Sequence, residues 1–145
     1  MMYDLSRTER QHRAINKETT TGALIPKRCA CGKSATAKQL AQHGKCVACQ
    51  EVDRAAALLP EDIEILRHML GATPHHPRLR WGFRNEYLVN RRDLPSMERL
   101  LAAGFVHAGG TLLQLKYFHA TAPGCKLVGV AGKRADVALA LGARP

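Results

Sequence analysis

Apolar residues recur at helical spacing twice in the second half of this chain. Ile63, Leu66 and Leu70 fall at i, i+3 and i+7, and Ile65 and Met69 widen the stripe, so the pattern predicts a helix with one buried face. Pro60 suits its first turn, Glu61 and Asp62 follow where the helix dipole favours negative charge, and Gly71 supplies the stop. Met97, Leu100 and Leu101 mark a second helix over about Pro95 to Ala103, with Asp93 just before it and Gly104 after it. The period then changes. Phe105 to Ala108 predicts a short strand, Gly109 and Gly110 a turn, and Leu113, Leu115 and Tyr117, alternating with Gln114 and Lys116, a second strand, together a β-hairpin. Thr121 can cap a short helix near Gly124 to Val130, and residues 132–145 form a further helix or a tail.

The first half is more polar. Asp4 to Lys17 predicts a short amphipathic helix, capped by Asp4 and with Ser6 and Glu9 at capping-box spacing. Thr19, Thr20, Thr21 and Gly22 end it as a loop. A cysteine-bearing module follows from about Lys27 to Gln50, with a short helix from Ala37 to His43 behind Thr36 as its cap. The segment QEVDRAAALL is helical in composition and links the module to Pro60. The chain is thus expected to comprise an N-terminal helix and loop (1–26), a zinc module with linking helix (27–59), a second domain (60–131) and a C-terminal helix or tail (132–145). The fold class is α+β, mainly helical.

The module carries the clearest chemistry. In CACGKSATAKQLAQHGKCVACQ two cysteine pairs, Cys29 with Cys31 and Cys46 with Cys49, stand with 14 residues between them, close to the spacing of four-thiolate zinc sites. Each pair on a tight turn aims two sulfurs at one point, and the intervening loop lets the pairs meet. Gly32 suits such a knuckle because it can take positive φ and leave backbone N–H groups to bond sulfur. The first pair is Cys-x-Cys rather than Cys-x-x-Cys, which narrows its turn and makes His43 an alternative ligand. Unrelated buried cysteines and a redox pair are the competing readings. No flanking βαβ pattern supports the redox one. The expected cofactor is one structural Zn2+ in a closed shell. Cys125, beside Leu127 and Val128, reads as a small buried hydrophobe.

Charge extends the picture to partners. Twenty-two Lys and Arg against twelve Asp and Glu give +10 and a pI near 9.8, spread over both halves. Such a balance favours polyanions. The segment HHPRLRWGFRNEYLVNRRD interleaves Arg78, Arg80, Arg84, Arg91 and Arg92 with Trp81, Phe83 and Tyr87, and only Glu86 and Asp93 oppose them. Arginine grips phosphate bidentately and aromatic faces stack on bases, so this composition suits nucleic acid. A solvated basic face over an aromatic core is the plainer alternative. The start of the chain lacks the apolar core of a signal peptide, and no run approaches the roughly 18 apolar residues that span a bilayer, so the expected location is cytoplasmic.

The order helix, helix, hairpin, short helix from Pro60 to Val130 resembles a winged-helix domain of small bacterial transcription regulators. In PSMERLLAAGFVHAGG a helix ends in glycine and turns into a strand, and in LLQLKYFHATAPGCKLV the second hairpin strand runs into Thr-x-x-Gly and a closing helix. The resemblance implies that Ser96, Arg99 and the wing residue Lys116 face DNA. It also implies a middle helix before Asp93, where Gly82 to Asn90 is weak in helix formers. The pairing of a zinc module with this domain further resembles small proteins encoded by tailed bacteriophages and prophages. The expected function is a zinc-stabilised nucleic-acid-binding protein, with DNA as the first partner and RNA as the alternative. The competing reading is a module that docks on a host protein. An enzyme is not expected: no nucleophile with its base, phosphate loop or paired-carboxylate motif appears at a recognisable spacing. No heptad repeat specifies an oligomer.

Overall fold

The computed structural model describes residues 27–144; the helix expected over Asp4 to Lys17 and the loop at Thr19 to Gly22 lie outside the described residues. The chain divides into two compact units, one ending at Val52 and one beginning at Asp53. Among the described residues no helix is long and apolar enough to cross a membrane. The architecture is α+β and mainly helical, as expected.

In the first unit, β1 (Lys27–Arg28) and β2 (Ser34–Ala35) pair antiparallel around the first two cysteines. The turn between them is closed by Gly32 N–H to the Cys29 carbonyl (2.8 Å) and Cys29 N–H to the Lys33 carbonyl (2.9 Å). Helix α1 (Ala37–His43) begins where the sequence places it. Thr36 accepts from the Gln39 N–H, and the Gln39 side chain accepts from the Thr36 N–H, a reciprocal cap that satisfies two otherwise orphaned donors. Gly44 ends it in the left-handed region. Helix α2 (Val47–Ala56) starts at the second cysteine pair, and the division between the units falls within it.

The second unit is built on α3 (Pro60–Leu70) and α4 (Leu94–Ala102), packed together and against a three-stranded antiparallel sheet ordered β3 (Tyr87–Leu88), β5 (Leu115–Ala120), β4 (Val106–Leu112). Helices α5 (Ala122–Leu127) and α6 (Lys133–Gly142) follow, and a short 3-10 turn spans Arg78–Arg80. The stripe of α3 does what its spacing predicts: Leu66, Met69 and Leu70 are fully buried with Met97 and Leu100 of α4, Phe105, and Phe118 and Ala120 of β5. Each of the Leu, Met and Phe side chains among them contributes about 1.5–3 kcal/mol of burial. Gly71 stops α3 at φ 65°, and a Cβ there would run into the Phe83 ring, so both the left-handed backbone and the close ring require glycine.

Two local expectations change. The segment expected as a weak middle helix, Gly82 to Asn90, holds instead the short strand β3, because Tyr87 and Leu88 find backbone partners at Phe118 and Tyr117. The turn of the hairpin is not at Gly109 and Gly110. These lie inside β4, where the register moves from Ala108↔Phe118 to Thr111↔Lys116, so β4 carries one extra residue as a bulge. A Cβ on Gly109 would collide with the His119 imidazole, which is why glycine sits there. The chain reverses at Leu113 and Gln114, both with positive φ (47° and 69°). Beyond Val106 the residues of β4 are exposed.

Candidate metal centre

Cys29 lies between β1 and its turn, Cys31 within the turn, Cys46 just before α2 and Cys49 in the first turn of α2. The two short elements thus deliver two sulfurs each. The four Sγ atoms lie within 4.8 Å of one another, with Cys29 to Cys49 at 3.9 Å and Cys31 to Cys46 at 3.6 Å. A disulfide needs about 2.05 Å. Sulfurs about 2.3 Å from a central ion at tetrahedral corners stand about 3.8 Å apart, so the donor set fits a four-coordinate metal. Around it, Cys29, Ala35 and Cys46 form a small buried cluster flanked by Leu40, Ala48 and Cys49.

The electrostatics of the cluster agree with that reading. Backbone N–H groups of Cys31 and Cys46 hold the Cys29 thiol down to about 6, the Cys46 donor standing 3.4 Å from its sulfur. The Cys49 backbone N–H lowers Cys46 in the same way. Hydrogen bonding with the Cys31 and Cys46 sulfurs, followed by burial, pushes the Cys49 thiol up to about 12, because both favour the protonated form. Backbone donors thus favour thiolates that the sulfurs cannot all become on their own. A divalent cation at the centre removes that conflict. His43 is exposed at the end of α1, and the four cysteines meet without it. Cys125 stands apart on α5, fully buried, with its thiol pushed up to about 11 by burial.

The basic segment forms an arginine-and-aromatic surface in the second unit. The Arg78 guanidinium lies 5.2 Å from the Trp81 ring centroid, and Arg80 and Arg84 lie 5.9 and 5.5 Å from that of Phe83. Trp81 is held by its indole N–H to the His76 carbonyl (3.0 Å), Arg84 by the His68 carbonyl, and Arg134 of α6 reaches the Arg78 carbonyl at 2.9 Å. Arg91 and Arg92 are exposed in the turn before α4, and Lys116 is exposed on β5. Ser96 and Arg99 sit differently. Ser96 is buried, and Arg99 binds both carboxylate oxygens of the buried Asp62, together with Glu61 and the Ser96 hydroxyl. Tyr87 gives its hydroxyl to Asp93 (2.6 Å). Burial, then that carboxylate, pushes the phenol up to about 12.

Two polar anchors carry no sequence signal. Asn85 donates to the carbonyls of Ala120 and Ala138 and accepts the Ala120 N–H, tying loop, sheet and α6 together. His119, also buried, bonds through Nδ1 to the Asn85 carbonyl. Compared with known protein families, characterised proteins and solved structures, the chain matches none.

Proposed function

We propose that this protein is a small basic nucleic-acid-binding factor whose N-terminal unit folds around one structural zinc ion held by Cys29, Cys31, Cys46 and Cys49. The observation that carries the zinc assignment is the convergence of four sulfurs within 4.8 Å, a soft, all-thiolate set that suits zinc. When bound, zinc supplies cross-linking of two otherwise weakly packed turns. Four protein donors leave no coordination position for a substrate, so the reading is one of binding rather than catalysis.

DNA is the proposed partner of the second unit. Support comes from the net charge of +10 and from Arg78, Arg80 and Arg84 held around Trp81 and Phe83, with Arg91, Arg92 and Lys116 exposed to reach phosphates. The winged-helix comparison is proposed in a reduced form: hairpin and preceding helix follow that order, but a strand replaces the middle helix. Ser96 and Arg99 are not carried into the proposed interface, because their polar atoms are engaged within the fold.

Fluorescence anisotropy of zinc-loaded protein with a mixed duplex, a single strand and an RNA hairpin at two salt concentrations tests this reading. Duplex binding that weakens steeply with salt supports it, and no binding at low salt refutes it. A protein-docking reading has one observation of its own: Leu79 is 85% exposed beside a 270 Å³ groove that Trp81, Phe83 and Val137 line together with Lys133 and Arg134. Co-purification of a protein partner after nuclease treatment would favour that reading.

A further inference from the structure

A cleft of 540 Å³ opens in the second unit between the 83–86 loop, the bulge of β4 and the end of α6. Its size falls within the range of small-molecule sites and far exceeds what a bare inorganic anion fills. Its walls combine three chemistries. Arg84 and Arg144 bring two cationic residues against one acidic residue, Glu86, so the cleft favours an anion. Phe83 and Tyr117 bring aromatic surface, and Thr111 with Glu86 brings groups that bond hydroxyls.

The cleft is also pre-organised. The Arg84 guanidinium is fixed by the His68 carbonyl and by the Phe83 ring, yet its Nε is buried with no hydrogen-bond partner among the described residues. A buried charged donor without an acceptor is costly, so the fold leaves part of the hydrogen-bonding capacity of Arg84 unmet. His119, which also lines the cleft, is held by its Nδ1 bond to the Asn85 carbonyl.

We propose that this cleft binds a nucleoside monophosphate group, its phosphate on Arg84 and Arg144 and its base against Phe83 and Tyr117. The same base, sugar and phosphate are offered by a free mononucleotide, as a phosphomonoester, and by an unpaired nucleotide of a strand, as a phosphodiester. The inference goes beyond the nucleic-acid reading, since the free form binds even where no strand does.

Calorimetric titration of the full zinc-loaded chain with AMP, GMP, CMP and UMP tests it, with inorganic phosphate and adenosine as controls. At least one mononucleotide binds, about tenfold or more tighter than either control. Two variants check the location. Gly110 lines the cleft, has open space at its Cβ position and does not have positive φ, so Gly110→Leu places a side chain in the cleft without strain. Arg144→Ala removes an exposed cation. Each weakens mononucleotide binding about tenfold or more while thermal unfolding stays unchanged. If Gly110→Leu also weakens binding of a single-stranded oligonucleotide, the nucleotide belongs to a strand; if not, it is a free ligand. The proposal is overturned if no mononucleotide binds, or if both variants bind as the parent does. Absence of any strand binding with mononucleotide binding intact would sink the nucleic-acid reading and leave this one standing.

Discussion

Arg99 of α4 grips Asp62 of α3 with both arms of its guanidinium, Nη2 to Oδ1 at 2.8 Å and Nε to Oδ2 at 2.9 Å, across 37 positions of sequence. Asp62 is fully buried and also accepts the Leu59 N–H at the start of its own helix. One carboxylate therefore caps α3 and joins it to α4. Asp62→Ala leaves a helix-start donor and a guanidinium without their acceptor. Urea unfolding should show a loss of about 2–4 kcal/mol, with Asp62→Asn recovering part of it through the cap.

The same pair sets the acid limit of the second unit. Burial alone would raise the Asp62 carboxyl, but hydrogen bonds from Arg99, the Leu59 N–H and Ser96, with the Arg99 charge, hold it below the ordinary carboxylate range. Arg99 is correspondingly raised, first by its bond to Asp62. A carboxyl depressed in the folded state contributes stability that is present above its unfolded value and is lost as pH falls through the folded value. The chain should therefore lose stability below about pH 4 more steeply than Asp62→Asn, as followed by circular dichroism. Parallel acid limbs would contradict this role.

Much of the local architecture is legible in sequence because its determinants are neighbours in the chain. Thr36 with Gln39, Pro60 and Gly71 each act within one helical turn, and the cysteine pairs announce their meeting by spacing. What is not legible depends on distant partners. Tyr87 and Leu88 become a strand only because β5 lies alongside, some thirty residues later. Arg99 looks like a free cation until Asp62 is placed beside it. The two glycines resemble a turn until His119 is seen to need the space beside Gly109.

Asn85 shows the cost of such a distant partner. It makes three hydrogen bonds, to Ala120 twice and to Ala138, and it is buried. Asn85→Ala orphans those backbone groups and should destabilise the second unit by about 3 kcal/mol, read by thermal or urea unfolding. A change within about 0.5 kcal/mol would mean that water replaces all three bonds.

The hairpin tip runs the other way. Leu113 is 88% exposed and held at φ 47°, where an L-residue with a side chain is disfavoured. Leu113→Gly should stabilise the isolated protein by up to about 1 kcal/mol, visible as a higher unfolding midpoint.

The zinc assignment is tested most directly by native mass spectrometry of the chain purified without chelator. The account predicts one zinc ion per chain in the parent protein, and none in Cys49→Ser or in the parent after acidification, because protons compete for the thiolates. Cys125→Ser should keep its zinc. A metal-free mass for a folded parent chain, or one lowered by four hydrogens through two disulfides, would contradict the account.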